Sequence, residues 1–367
     1  MKIDIGAPNG STVDESDSVA VGTVPTTMRA SVLHSPGRVV VEDRPVPEPG
    51  RGEVLIKIGS VGICGSDVHY YRHGRIAHYV VREPLILGHE AGGRIVGVGP
   101  DVDPNRLGQR VALEPGVPCR VCRECKAGRY NLCPDVQFFA TPPVDGTFAE
   151  YVTLTADFAH PVPDTLSDDA AGLIEPLSVA VWACAKADIG AGSTVLLSGA
   201  GPIGLMTVQV ARALGATQIV VSDVAATRLD MATRFGATRT LNAGTENAAD
   251  AGIEVDAYID CSGAAQAIQQ GIKAVRPAGR VVLVGMGADE ITIPVGLLQG
   301  RELTITGTFR YANTYPTAIA LAASGRIDLD GMVTAHYPLD EAGMALSQDQ
   351  DPSAMKVIIR PGEVADH

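Results

Sequence analysis

Two patterns of hydrophobic and polar positions divide the chain into parts. In the first part, short runs rich in β-branched residues alternate with turns that contain Pro and Gly. This pattern predicts short strands joined by tight turns. The first part is therefore predicted to be a β-rich, barrel-like module with strands at residues 29–33, 39–41, 54–61, 93–98 and 110–113.

From about residue 177, apolar runs of strand length alternate with longer amphipathic segments. Such alternation predicts βαβ units around a parallel sheet. The predicted strands are 194–197, 218–222, 255–260 and 280–284, and the predicted helices are 203–214, 226–235 and 265–275. A further helix is predicted at 316–323, and a last strand at 356–359 is expected to pair back with the first module.

The composition of the 367 residues fits two globular domains with many turns, because 46% are hydrophobic and there are 41 Gly and 24 Pro. A net charge of −13 disfavours nucleic acid and anionic membranes as partners. No apolar run reaches the roughly 18 residues that a membrane helix requires. We therefore expect a small-molecule partner.

Residues 1–27 are rich in Ser, Thr, Gly and Asp and lack the basic start and apolar centre of a secretion signal. They are interpreted as a flexible tail. Four of the seven cysteines fall within fifteen positions, which indicates a metal site in a reducing compartment rather than disulfides. A cytoplasmic location is expected.

A GxGxxG motif, residues 199–204, follows a predicted strand and opens a predicted helix. Gly199 permits the tight turn, Gly201 lets backbone N–H groups approach a pyrophosphate, and Gly204 allows close packing of helix and strand. Asp223 ends the next strand, where its carboxylate would bind ribose hydroxyls and repel a 2′-phosphate. The motif predicts NAD as cofactor, bound by Gly199, Gly201, Pro202, Ile203, Gly204 and Asp223, with Arg228 on the adenosine side.

A second motif places Cys119, Cys122, Cys125 and Cys133 in one loop. Four thiolates with this spacing are the ligand set of a closed, tetrahedral structural zinc site. Four unligated thiols would oxidise readily. A nucleic-acid-binding zinc ribbon is disfavoured by the acidic chain and by the absence of interleaved aromatic residues.

Several separate segments together resemble the sorbitol/xylitol (polyol) dehydrogenase branch of the zinc-dependent medium-chain alcohol dehydrogenase superfamily. The resemblance covers nearly all of the chain after Met28. The segments that carry it are residues 62–71, 87–92, 114–118 with the cysteine loop, 172–178, 199–204 and 309–311.

This resemblance implies an α/β protein with a GroES-like, β-rich catalytic domain and a Rossmann cofactor domain with a doubly wound parallel sheet. The expected boundaries are a tail at 1–27, a catalytic domain at 28–178 with a structural zinc lobe at about 115–135, a cofactor domain at 179–308, and a return segment at 309–367 that completes the catalytic domain. A homotetramer or homodimer is expected.

The resemblance also implies a catalytic zinc, and thus about two zinc ions per chain. Cys64, His89 and Glu90 are the expected ligands, with Glu175 as the partner of the bound water; the two glutamates could exchange these roles. Asp67 is expected to orient His89, while Ser66 and His69 form a proton relay. The expected polyol pocket consists of Tyr70, Phe138, Thr141, Arg310 and Tyr311.

The predicted activity is the oxidation of a polyol to a ketose by hydride transfer to NAD. One alternative is a dehydrogenase of the same branch that acts on another secondary alcohol, such as threonine, butanediol or an aldose. The other alternative is a nucleotide-binding member of the superfamily without catalytic activity.

Overall fold

The computed structural model describes residues 23–348, 351 and 353–363. Most of the predicted tail, residues 1–22, and the last four residues of the return segment therefore lie outside the described residues. None of the helices in the described part of the chain is long and apolar enough to cross a membrane.

The first module is built mainly from strands, as predicted. Its elements are β1 Thr27–Ser35, β2 Arg38–Pro45, β3 Glu53–Gly62, α1 Gly65–His73, β4 Arg75–Ile76, β5 Tyr79–Val80, β6 Leu85–Ile86, β7 Glu90–Val98, β8 Arg110–Leu113, β9 Gly116–Val117, α2 Arg123–Lys126, β10 Gln137–Phe138, β11 Tyr151–Thr155, β12 Ala159–Pro161 and α3 Asp168–Gly172.

The second module alternates strands and helices. Its elements are α4 Ile174–Lys186, β13 Thr194–Ser198, α5 Pro202–Ala213, β14 Gln218–Asp223, α6 Ala226–Phe235, β15 Arg239–Asn242, β16 Val255–Asp260, α7 Ala265–Lys273, β17 Val275–Leu283, α8 Val295–Arg301 and β18 Thr304–Gly307. The strands form one parallel sheet in the order β15-β14-β13-β16-β17-β18.

This order is that of a doubly wound dinucleotide-binding sheet. The central strand β13 has both faces buried: Val195 and Leu197 pack in the cluster that contains α5, whereas Leu196 packs in the cluster that contains α7. A strand covered on both faces needs a continuous apolar run, which explains the sequence of β13. The predicted α/β fold class is confirmed.

The chain then returns to the first module through α9 Tyr315–Ala323, β19 Val333–Pro338, α10 Ala342–Ala345 and β20 Lys356–Arg360. Strand β20 pairs antiparallel with β3 and joins the seven-stranded sheet of the first module. The predicted pairing of the last strand is confirmed. It carries residues from the far end of the chain to the segment around Gly62 and Cys64.

One local expectation needs correction, and two helices were not among the predicted elements. The helix predicted at 265–275 is two residues too long, because Val275 is fully buried and pairs with Val255 as the first residue of β17. Helices α1 and α4 did not stand out as separate elements in the sequence, although they carry several candidate site residues.

Candidate functional site

Cys64, His89 and Glu90 come together between the first module and the returning strand. Their sulfur, ring nitrogen and carboxylate oxygen atoms lie within 4.8 Å of one another. Cys64 caps the N-terminus of α1, and His89 and Glu90 lie where the chain enters β7. A thiolate, an imidazole and a carboxylate with an open fourth position are the ligand set of a catalytic zinc ion. The donor set therefore fits zinc.

Asp67 connects two members of this cluster and is completely buried. One carboxylate oxygen accepts a hydrogen bond from the Cys64 backbone N–H at 3.0 Å. The other accepts from the Gly88 N–H at 2.9 Å and lies 3.6 Å from His89 Nδ1. Asp67 thus fixes the backbone on both sides of the cluster, and its position matches the expected role of orienting His89.

Glu90 has a partner that the sequence analysis did not find. Its Oε2 forms a buried ion pair with Lys356 Nζ, and Lys356 also donates to the Ile63 carbonyl at 2.9 Å. Gly62 leaves the space for this carboxylate, because a Cβ there would collide with Glu90 Oε2. The available signal was a single lysine in the otherwise apolar segment 355–359.

Glu175 lies on α4 and is also buried. Its Oε1 accepts a hydrogen bond from the Tyr311 hydroxyl at 2.6 Å. Burial raises the pKa of Glu175 to about 7, although the nearby His89 opposes this effect. The described group that could hold a metal ion beside Cys64 and His89 contains Glu90 and does not contain Glu175. This geometry favours the expected order, with Glu90 as ligand and Glu175 beside it.

Helix α1 carries three other predicted site residues. Ser66 lies in its first turn, His69 is exposed one turn later, and Tyr70 is buried. Partial burial lowers the pKa of His69, and the positive charge of the neighbouring His73 lowers it further. The rings of these two histidines are 4.8 Å apart. One helix thus leads from the Cys64 cluster to solvent.

Phe138 and Arg310 form a wall next to the cluster. The Phe138 ring lies 5.5 Å from the His89 ring, and the Arg310 guanidinium carbon lies 3.7 Å from the centroid of the Phe138 ring. Arg310 Nη1 is buried without a hydrogen-bond partner among the described residues. Such a donor fits a hydroxyl-bearing ligand. Thr141 is half-buried in the next turn, and its N–H donates to the Phe138 carbonyl.

The four cysteines of the second motif also converge. Their sulfur atoms lie within 4.8 Å of one another. The backbone N–H groups of Val121 and Cys122 lower the pKa of Cys119 to about 7, whereas desolvation raises that of Cys125. A divalent cation is needed to keep four adjacent thiolates ionised together, so this donor set fits a structural zinc ion.

The glycine turn follows β13 as predicted. Gly199 has a φ of +90°, Gly201 caps α5, and a Cβ at Gly204 would collide with the Gly199 carbonyl. A Cβ at Gly201 would meet nothing within 4 Å, so the turn is open where Pro202 and Ile203 begin the helix. This arrangement fits a pyrophosphate at the helix N-terminus.

Asp223 ends β14 beside this turn. Its two carboxylate oxygens accept hydrogen bonds from Ala200 N at 2.7 Å and Ala225 N at 2.9 Å. Arg228 Nε on α6 is buried without a partner among the described residues. A cavity of about 340 Å³ opens next to the ends of β13 and β14, with Ser222, Val224 and Gln266 in its wall. Two of these residues flank Asp223 in the chain and the third lies on α7, so the cavity is a candidate place for an adenosine.

Comparison with known proteins agrees with this architecture. The model of the alcohol dehydrogenase GroES-like domain matches residues 50–164, and that of the zinc-binding dehydrogenase family matches residues 202–324. Sorbitol dehydrogenase from Bacillus subtilis (strain 168) is 44% identical over 350 residues, which cover 92% of this chain and 99% of that protein. The chain belongs to the zinc-dependent alcohol dehydrogenase family.

Solved structures of dehydrogenases share the fold. An alcohol dehydrogenase from E. coli CFT073 in complex with NADH has a TM-score of 0.86 at 30% identity and covers 92% of this chain and 100% of that one. L-Idonate 5-dehydrogenase from Escherichia coli has the same TM-score and identity, with coverages of 91% and 98%. The predicted family and the assignment of this dehydrogenase as an oxidoreductase are confirmed.

Proposed function

We propose that this dehydrogenase oxidises a secondary hydroxyl of a polyol, such as sorbitol or xylitol, to a ketose with NAD as hydride acceptor. The observation that carries this proposal is the Cys64–His89–Glu90 cluster beside Arg310, whose buried Nη1 has no hydrogen-bond partner among the described residues. The similarity to sorbitol dehydrogenase over nearly the whole chain supports the choice of a polyol.

Cys64, His89 and Glu90 would hold the catalytic zinc, and Gly199, Gly201, Pro202, Ile203, Gly204, Asp223 and Arg228 would hold NAD. When bound, zinc supplies Lewis acidity that lowers the pKa of the substrate hydroxyl, and NAD accepts the hydride from the carbon that bears this hydroxyl. The four cysteines at 119–133 would hold a second, structural zinc.

The protein's own groups orient the polyol and remove its proton. Ser66 would receive the hydroxyl proton and pass a proton by way of the nicotinamide ribose to His69, which lies exposed one turn later on α1 and would release it to solvent. Glu175 Oε1 is held by the Tyr311 hydroxyl, and this carboxyl group would form a hydrogen bond with the reacting oxygen of the substrate or with a water molecule. Tyr70, Phe138, Thr141, Arg310 and Tyr311 would form the walls of the pocket, and the polar side chains among them would bind the remaining hydroxyls.

An assay of NADH formation tests the substrate. The panel contains sorbitol, xylitol, ribitol, mannitol, L-idonate, threonine, butanediol and glucose, each at several concentrations. The highest kcat/KM is expected for a polyol. Turnover of butanediol, threonine or an aldose without turnover of any polyol would refute the substrate assignment, but the assignment as a dehydrogenase would stand.

Zinc analysis distinguishes catalysis from simple nucleotide binding. About two zinc ions per chain are expected for the catalytic arrangement, whereas one fits the cysteine loop alone. A protein that binds NADH, contains one zinc and oxidises no alcohol would refute the proposed activity.

We also propose a cytoplasmic homodimer or homotetramer. Strand β18 is the last strand of the parallel sheet, and Phe309 and Val295 near it are exposed. A strand with one free edge and adjacent apolar residues is a ready surface for a second copy. Light scattering tests this assembly, and a monomer at micromolar concentration would refute it. The boundaries 28–178, 179–308 and 309–367 are retained as the proposed domain division.

A further inference from the structure

The cysteine lobe, residues 119–133, contacts the substrate loop, residues 309–313. Tyr130 Oη accepts a hydrogen bond from the Asn313 backbone N–H at 2.7 Å. Asn131 Nδ2 donates to the Phe309 carbonyl at 2.8 Å, and Asn313 Nδ2 donates to the Gly128 carbonyl at 2.9 Å. Both ends of the substrate loop are thus tied to one short segment of the lobe.

The backbone of the substrate loop needs such support. Arg310 has a φ of +52° and Asn313 a φ of +59°. Residues other than glycine rarely adopt this left-handed conformation, which persists when surrounding contacts stabilise it. Asn313 itself donates two of the hydrogen bonds to the lobe, and Arg310 directly follows Phe309, whose carbonyl accepts the third.

The Tyr130 hydroxyl has a defined orientation. It donates its proton to Glu114 Oε1 at 2.6 Å, and the other oxygen of this buried carboxylate lies 2.7 Å from His160 Nε2. A lone pair of the hydroxyl is therefore left to accept from Asn313. The contact between lobe and loop is anchored in the interior of the first module.

The substrate loop carries the groups that face the reacting centre. The Arg310 guanidinium stacks on Phe138, and the Tyr311 hydroxyl donates to Glu175. A small cavity is lined by Phe138, Arg310 and Tyr311 together with Tyr130 and Asn131. A change in the lobe contact would move Arg310 and Tyr311, and small displacements of positioned groups strongly affect recognition.

We propose that the cysteine lobe positions the substrate loop for polyol recognition, with Tyr130 and Asn131 as positioning residues. This inference rests on the proposed function, because it assigns the bound polyol to Arg310 and Tyr311. The lobe then contributes to KM for the alcohol through the loop and leaves the binding of the catalytic zinc and of NAD to other parts of the chain.

The test uses the full-length, zinc-loaded enzyme with Tyr130→Phe and Asn131→Ala, singly and together. Arg129→Gln is the matched control, because Arg129 lies in the same lobe and pairs with Glu124. Hydrogen exchange measured by mass spectrometry follows the amides of residues 309–313. Steady-state kinetics give kcat and KM for xylitol and for NAD, and metal analysis counts zinc.

In the double variant, exchange in the substrate loop should become faster, and KM for xylitol should rise about five- to tenfold. The KM for NAD and the zinc content should stay within about twofold of wild type, and kcat should fall by a smaller factor than the xylitol KM rises. All values for Arg129→Gln should stay within about twofold of wild type. Unchanged loop exchange, or an unchanged xylitol KM in a folded double variant, would overturn the inference. So would a parallel loss of kcat and zinc, which indicates a general structural role.

Failure of the proposed function has a different signature. Wild-type enzyme that oxidises no polyol would refute the substrate, and the KM comparison would then use the alcohol that the panel identifies. Loop exchange would still decide whether the lobe fixes the loop.

Discussion

Replacement of Lys356 by Met tests how the cluster around Glu90 is stabilised. Lys356 is 2% exposed and Glu90 1% exposed, so their ion pair is separated from solvent. Methionine keeps most of the length of the side chain and removes its charge. In the zinc-free protein, the variant leaves the Glu90 carboxylate buried without its cation.

The expected loss in the free energy of unfolding is large. Removal of one partner of a buried ion pair destabilises a protein by about 3–5 kcal/mol, because the other charge stays desolvated. Zinc bound by Cys64, His89 and Glu90 supplies positive charge at the same carboxylate. The loss should therefore be about 3–5 kcal/mol without zinc and clearly smaller with zinc. Each 1.4 kcal/mol by which the loss without zinc exceeds the loss with zinc corresponds to about tenfold tighter zinc binding by the variant than by the wild type.

Denaturant unfolding with and without zinc measures the two losses, and competition with a chelator measures the zinc affinity. Lys57→Met is the matched control, because Lys57 is an exposed lysine on β3. A loss below about 1 kcal/mol in the zinc-free variant, or equal losses in both states, would refute the role assigned to Lys356.

Three further predictions concern the metal, the cofactor and the proton path. Cys64→Ala should remove one of two zinc ions per chain and abolish turnover while NADH still binds, as measured by metal analysis and fluorescence; an active variant without that zinc would contradict the ligand set. Asp223→Ser removes the carboxylate that accepts from the Ala200 N–H and that would bind the ribose hydroxyls, so KM for NAD should rise at least about tenfold. Because the carboxylate would also repel a 2′-phosphate, kinetics with both cofactors should show improved use of NADP. His73→Gln should raise the lowered pKa of His69, so the acid limb of kcat/KM should shift to higher pH; an unshifted limb would exclude His69 from the proton path.

The sequence predicted the order of most long elements because their signals are local. The helix at 226–235 agrees with α6, and the last strand agrees with the start of β20. Local signals failed at Val275, where apolar periodicity continues from α7 into β17. The pairing partner of Val275, Val255, lies too far along the chain for a local pattern to reveal it.

Motifs with defined spacing were the reliable part of the site prediction. The four cysteines converge as their spacing predicted, and the glycine turn has the expected geometry. The supporting contacts depend on side chains from distant segments. Tyr130 binds Asn313, and Lys356 binds Glu90, and no spacing rule connects these pairs.

The assignment of the two glutamates depends on such distant contacts. The sequence left open whether Glu90 or Glu175 binds the metal, since both lie within segments that resemble the same family. The returning segment provides each with a different partner: Lys356 places a cation on Glu90, whereas Tyr311 donates a neutral hydrogen bond to Glu175. Because Glu90 also lies with Cys64 and His89, its carboxylate is placed for ligation. Glu175, with its pKa raised to about 7 by burial, is placed to exchange a hydrogen bond with the reacting oxygen. The return segment therefore does more than join the sheet, because it gives two otherwise similar carboxylates different partners and so supports the proposed division of their roles.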